Sequence, residues 1–136
     1  MTKKAAKCHC GSVRFEIVFD GEFEDVRHCN CSFCKRRSAY VASVAISDLE
    51  ITKGVDNLSL YTWGTGTAKH YFCKTCGIYT HHQRRSNPNE YGINIACFDD
   101  VDPFSYGQVP VYDGVNHSKD TGKDADVVYG ENKKGR

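Results

Sequence analysis

Apolar and polar residues alternate along residues 12–19, close to the start of the chain. Val13, Phe15 and Ile17 are apolar, and the residues between them are charged. Because successive side chains of a β-strand point to opposite faces, this two-residue period predicts a strand with one buried face.

Six further segments are rich in β-branched and aromatic residues, and we predict them as strands too. They cover residues 40–46, 49–52, 58–63, 69–72, 78–82 and 91–98. The sequence Gly-Thr-Gly-Thr at residues 64–67 predicts a hairpin connection. No segment has a sustained helical period, and residues 33–39 form one short helix at most. The sequence therefore predicts an all-β domain of many short antiparallel strands.

Length and charge restrict the domain organisation and the partners. The 136 residues suffice for one domain, which we assign to residues 5–117. Residues 118–136 contain mainly Lys, Asp, Gly and Asn, and we expect a loosely held polar tail. The formal net charge of +1 argues against a nucleic-acid partner and against an anionic membrane surface, since both require a basic excess. No oligomeric state is indicated.

The interpretation of the eight cysteines depends on the cellular compartment. The first seven residues lack the apolar segment of a secretion signal, and no apolar run approaches the roughly 18 residues that span a membrane. We therefore expect a cytoplasmic, reducing location. There, closely spaced cysteines are more often metal ligands than disulfides. Four disulfides are the alternative.

Two cysteine pairs predict a structural zinc site. Cys73 and Cys76 form a Cys-x-x-Cys knuckle followed by glycine, and such a pair needs two more ligands. Cys8 and Cys10 are the matching pair. The alternative is that these two are ordinary residues near the start of the chain and that the knuckle pairs elsewhere.

Three further cysteines, Cys29, Cys31 and Cys34, fall within six residues. A structural zinc normally has four protein ligands, whereas a catalytic zinc has three and an open fourth position. Thiolate ligands favour a soft metal such as zinc over magnesium or calcium. The open position would activate a thiol, polarise a carbonyl group or lower the pKa of a water molecule. The alternative is that His28 is a fourth ligand and closes the site.

Three histidines are candidate proton carriers, although a surface position on a strand is the simpler interpretation of each. They are His70, His81 and His82. Adjacent strand residues point to opposite faces, so at most one of His81 and His82 can face the triplet. The lone Cys97 lies in an apolar strand, and we expect it to pack in the core.

Basic residues follow both cysteine motifs, as residues 35–37 and 84–85. Lys35, Arg36 and Arg84 are our candidate contacts to the carboxylates of an anionic thiol such as glutathione, or to phosphates. The alternative is that they are solvated loop charges.

Several motifs resemble the glutathione-dependent formaldehyde-activating enzyme family, and most of all its branch that includes centromere protein V. These motifs cover residues 8–15, 29–35, 72–77, 85–88 and 95–100. The resemblance implies an Mss4-like β-tent with two zinc ions per chain. The structural ion maps onto Cys8, Cys10, Cys73 and Cys76, and the catalytic ion onto Cys29, Cys31 and Cys34.

The activity implied by the resemblance is that of a carbon–sulfur lyase, which condenses glutathione with formaldehyde to S-hydroxymethylglutathione. The chain departs from the pattern of the enzymes at Asn30, at residues 38–39 and at residues 64–67. These positions bear on the substrate rather than on the metal. The alternatives are a zinc-stabilised binding module for nucleic acid or protein, and a thiol or metal sensor that loses zinc on oxidation.

Overall fold

The computed structural model describes residues 2–124 and 126–130, and within them the secondary structure is mainly β. The strands are β1 (Lys3–Lys7), β2 (Arg14–Val18), β3 (His28–Cys29), β4 (Val41–Ala45), β5 (Leu49–Lys53), β6 (Leu58–Tyr61), β7 (Lys69–Cys73), β8 (Tyr79–Gln83), β9 (Glu90–Asn94), β10 (Val111–Tyr112) and β11 (Val127–Tyr129). The α-helices of this part of the chain are α1 (Cys34–Arg37) and α2 (Ser118–Thr121).

The strands form three sheets, and nearly all neighbouring strands are antiparallel. The largest sheet has the order β4-β9-β8-β7-β6, and a second has the order β1-β2-β5. In the third, β10 lies between β11 and β3 and runs parallel to β3. Strands β6 and β7 pair across residues 64–67, as the predicted hairpin requires. The predicted all-β architecture is confirmed.

The core lies where the apolar face of β2 meets the largest sheet. Phe15 and Ile17 are fully buried and belong to one apolar cluster with Ile93 of β9 and with Phe98. The Phe15 and Phe98 rings meet edge to face at 5.8 Å. Each such buried side chain contributes about 1.5–3 kcal/mol, so β2 joins the two sheets.

Strands β9 and β1 are among those that differ from the prediction, and the short strands β3, β10 and β11 were not predicted either. The strand expected over residues 91–98 ends at Asn94, whose side chain accepts a hydrogen bond from the Ala96 N–H and caps a 3-10 turn over Ile95–Cys97. Cys97 therefore lies in this turn rather than in a strand, although it is buried in the core as expected. Residues Lys3–Lys7, for which no strand was predicted, form β1 by pairing with β2.

Part of the segment predicted as a polar tail contacts the domain. Residues 118–124 and 126–130 include α2 and β11, and β11 pairs with β10. Residues 125 and 131–136 of that prediction lie outside the described residues. The division of the chain at residue 117 stays a prediction. In the described part of the chain, no helix has the length and apolar character needed to cross a membrane.

The buried His81 makes the stability of the core dependent on pH. Its side chain is 3% exposed and stacks on Tyr71 at 4.7 Å, and burial lowers its pKa from 6.5 to about 4. Between these values the unfolded chain binds a proton that the folded protein does not. The contribution of His81 to the free energy of unfolding is therefore complete above pH 6.5 and is lost as the pH falls towards 4.

We expect this residue to lower the free energy of unfolding by about 2 kcal/mol between pH 7 and pH 5. His81→Phe keeps an aromatic ring but cannot titrate. Its free energy of unfolding, measured with urea, should therefore fall by about 2 kcal/mol less than that of the wild type between pH 7 and pH 5. The exposed His9 provides the control His9→Gln, which should follow the wild type. Equal pH slopes for His81→Phe and wild type would contradict the prediction.

Candidate metal centre and active-site cavity

The two cysteine pairs lie close together where the β1-β2-β5 sheet adjoins the largest sheet. The first pair lies between β1 and β2, and the second lies at the end of β7 and in the following turn. All four sulfur atoms lie within 4.8 Å of one another: those of Cys8, Cys10, Cys73 and Cys76. The N–H groups of Val13 and Thr75 donate to two of these sulfurs at 3.4 and 3.3 Å. Four soft donors with such support fit a tetrahedral zinc ion.

The triplet forms a second sulfur group between β3 and α1. The Sγ atoms of Cys29, Cys31 and Cys34 lie within 4.8 Å of one another, and no histidine of the described residues belongs to the group. The Nδ1 atom of His28 is instead hydrogen-bonded to the Ala39 carbonyl at 2.9 Å. All eight cysteines are free thiols, so the alternative of four disulfides is wrong.

The sulfur atoms of the triplet influence one another. Hydrogen bonds from the Cys29 and Cys34 thiols lower the pKa of Cys31, and the Cys34 N–H also donates to its sulfur at 3.2 Å. One sulfur of the group is therefore readily deprotonated. Three such donors with an open fourth position fit a catalytic rather than a closed structural zinc site.

A segment after β10 lies directly over the triplet, and we call residues 113–121 the C-terminal cover. The Asn30 side-chain oxygen accepts hydrogen bonds from the N–H groups of Gly114 at 2.8 Å and Val115 at 3.3 Å. A Cβ atom on residue 114 would overlap Cys29 Sγ, so only glycine allows this approach. Asn30 thus holds the beginning of the C-terminal cover in place.

The triplet lines a cavity of about 160 Å³ with four arginines in its walls. Three of them form ion pairs with carboxylates, and the pairs are Arg27 with Asp25, Arg84 with Glu90, and Arg85 with Asp120. The fourth, Arg37, has no ion-pair partner in the part of the chain that the structure describes. It is the arginine whose charge is best placed to meet a ligand.

Arg37 is held beside the triplet by aromatic rings. Its guanidinium carbon lies 3.7 Å from the centre of the Tyr79 ring and 4.7 Å from that of Phe33, in cation–π geometry. One of its nitrogens donates to Cys34 Sγ at 3.5 Å and another to His70 Nδ1 at 3.1 Å. A fixed cation therefore partly offsets the negative charge of the thiolates.

Two histidines, the buried His70 and the partly buried His82, line the same wall of the cavity. Burial, reinforced by the charge of Arg37, lowers the pKa of His70 to about 4 and that of His82 well below its usual value. Their rings stack at 5.1 Å, and Gly92 leaves the space that the His82 ring occupies. Both imidazoles are therefore neutral at neutral pH.

The positions of the histidines correct the expectation of surface positions and confirm that His81 and His82 point to opposite faces of β8. Surface positions are wrong for His70 and His81, which are 5% and 3% exposed. His82 lines the cavity whereas His81 packs against core rings, as expected for neighbouring residues on opposite faces of β8.

The structure places one of the three predicted substrate contacts in the cavity wall and the other two outside it. Arg84 lines the cavity, but Lys35 and Arg36 lie on the exposed side of α1 and do not line it. Their role as substrate contacts stays a prediction. Sequence reasoning missed Arg27 and His117, which also line the cavity, and no local motif marks either residue.

The four-sulfur group and the three-sulfur group of this small β domain match the ligand numbers of a structural and a catalytic zinc site, respectively. A family model described as glutathione-dependent formaldehyde-activating enzyme matches residues 3–111. The chain belongs to this family, and its fold is the Mss4-like fold of the family. A crystal structure of a Rhodobacter sphaeroides protein is similar, with 54% sequence identity and a TM-score of 0.76. The match covers 79% of this chain and 98% of that chain.

Proposed function

We propose that this protein is a zinc-dependent carbon–sulfur lyase that joins glutathione, or a related anionic thiol, to formaldehyde or another small aldehyde. The observation that carries the proposal is the group of three sulfurs, which opens into a cavity beside an arginine without an ion-pair partner. The family membership supports the same chemistry. We further propose a place in the branch that includes centromere protein V, and a cytoplasmic location that is consistent with eight free thiols.

The triplet would hold the catalytic zinc, and the quartet the structural one. A zinc ion on Cys29, Cys31 and Cys34 would lower the pKa of a thiol at its open position, so that the thiolate is present at neutral pH. The chain itself supplies the surroundings of that thiolate. Arg37 offsets negative charge beside Cys34, and the neutral His82 keeps that wall of the cavity uncharged.

Recognition of the thiol substrate is assigned to the arginines of the cavity. Arg37 is available for a substrate carboxylate because the described residues give it no ion-pair partner. Arg84 adds a second guanidinium, fixed in place by Glu90 and by Ser86, whose hydroxyl lies 2.8 Å away. Paired N–H groups of arginine match the geometry of a carboxylate.

The binding step can be tested on the zinc-loaded protein by zinc-edge X-ray absorption during titration with glutathione. We expect the average number of sulfur neighbours per zinc to rise, because the thiol fills the open position of one of two ions. S-methylglutathione carries the same carboxylates without a free thiol, and it should leave the spectrum unchanged. An unchanged spectrum at millimolar glutathione would refute the proposal.

A rate measurement separates an enzyme from a binding module or a sensor. The exchange of ¹³C-labelled formaldehyde with its glutathione adduct can be followed by NMR with and without the protein. An exchange rate above the spontaneous one identifies catalysis, whereas thiol binding without faster exchange identifies a sensor or a binding module.

A further inference from the structure

The C-terminal cover begins beyond the residues that the family model matches, which end at residue 111. It is nevertheless fixed to the domain at both ends. Asn30 binds its beginning, as described above, and near its other end Asp120 receives two hydrogen bonds from Arg85 at 3.1 and 2.5 Å. The cover is therefore a built part of the cavity wall.

Among the side chains that the cover brings to the cavity, that of His117 has unused hydrogen-bonding capacity. Its Nδ1 atom accepts a hydrogen bond from the Lys119 N–H at 3.0 Å and thereby caps α2. With Nδ1 acting as an acceptor, the proton of the neutral imidazole is on Nε2. Within residues 2–124 and 126–130, Nε2 has no hydrogen-bond partner.

Two other histidines of the cavity, His28 and His70, are less suited to donate to a ligand. His28 uses Nδ1–H for the Ala39 carbonyl, so its neutral Nε2 can only accept. The His70 ring is packed between Phe33 at 4.6 Å and His82 at 5.1 Å. The His117 ring stacks on no other ring of the described residues.

We infer that His117 is a catalytic residue that donates a hydrogen bond from Nε2 to the carbonyl oxygen of the aldehyde. The inference rests on the proposed function. In the step, the thiolate sulfur attacks the carbonyl carbon, the C–S bond forms and the C=O π electrons move onto the oxygen. The Nε2–H group stabilises that negative charge. Water then protonates the oxygen, which balances the proton that the thiol lost to solvent on binding.

This role assigns Asp120 and Arg85 as positioning residues. Their ion pair fixes the end of α2, and α2 is the helix that His117 caps. Neither residue has to touch the aldehyde. Weakening the pair should therefore reduce the fraction of molecules with His117 in place, without altering the triplet.

The variant His117→Asn separates the two functions of the imidazole. Asparagine is among the best helix-capping residues, so its side-chain oxygen can still accept from the Lys119 N–H, but it lacks a donor at the Nε2 position. We expect kcat to fall roughly 100-fold, as on removal of one donor to a developing oxyanion. Binding of glutathione, from the zinc-edge titration, and the thermal midpoint should stay at wild-type values.

Two further variants and a control complete the test. His117→Gln places an amide N–H near the Nε2 position and should recover part of kcat. Asp120→Asn should lower kcat by a smaller factor while leaving glutathione binding unchanged, and it keeps the test decisive if substitution at 117 prevents folding. The exposed Lys119 belongs to the same cover, and Lys119→Gln should leave kcat unchanged.

Wild-type kcat in His117→Asn would overturn the inference and leave the proposed function intact. A fall in kcat that only matches the loss of glutathione affinity would also overturn the inference and leave the proposed function intact. A wild-type protein that neither binds glutathione nor accelerates the exchange would overturn both.

Discussion

Replacing Cys76 by serine is expected to abolish stable folding or to lower the thermal midpoint by tens of degrees. Cys76 belongs to the four-sulfur group that joins the start of β2 to the end of β7. A serine hydroxyl is a poor zinc ligand, and structural zinc contributes about 10–16 kcal/mol to the folding of small zinc domains. The total stability of a domain is only about 5–15 kcal/mol. Circular dichroism during heating measures the loss of folding, and metal analysis of the purified protein measures the loss of zinc.

The matched control for this variant is Cys97→Ala. Cys97 is buried, as Cys8 and Cys73 of the quartet are, and burial raises its pKa to about 12, but it belongs to neither sulfur group. Its truncation should cost only about 1–2 kcal/mol for the lost packing, and the metal content should not change. A Cys76→Ser protein with the wild-type metal content and thermal midpoint would show that the quartet does not hold a structural metal.

Replacing Cys31 by serine should remove activity and leave the fold in place. The triplet lies on the two-residue strand β3 and the start of α1, away from the apolar cluster that joins the larger sheets. We expect one metal ion per chain instead of two, and a rate enhancement lower by roughly 1,000-fold, because charge stabilisation by a metal is worth several kcal/mol. The NMR exchange assay and metal analysis report the two quantities.

The contrast between the two cysteine variants is the main result of this pair of experiments. Cys31→Ser should unfold within a few degrees of the wild type, whereas Cys76→Ser should not. Full activity in Cys31→Ser would refute a catalytic role for the triplet. A loss of folding as large as that of Cys76→Ser would instead make the triplet a second structural site.

The strands that could be predicted are those in which local sequence and final environment agree. The alternating residues of β2 are buried and exposed in turn, and the short helix after the triplet also occurs as predicted. Strand β1 could not be predicted because Lys3–Lys7 contains only lysine and alanine, which favour strands weakly. It forms because β2 supplies a partner. The apolar residues 95–97 resemble a strand, but the cap from Asn94 turns them away from the sheet.

The two sulfur groups could be predicted from cysteine spacing, whereas the cavity around the triplet depends on contacts between distant parts of the chain. Arg27 and His117 are far apart in sequence, and they line one cavity because β10, which precedes His117, pairs with β3, which follows Arg27. The composition after residue 117 is polar. It cannot reveal the Arg85–Asp120 ion pair, which joins residues 35 positions apart.

The glycine that lies against Cys29 has a consequence for how this family diverges. The cysteines of both sulfur groups lie between residues 8 and 76, but the wall over the triplet comes from a later and much shorter stretch. Mutations in that stretch can change the shape of the cavity while the cysteines remain unchanged. Two proteins with identical cysteine spacing can therefore differ in the ligand that they accept, so cysteine spacing alone does not define selectivity.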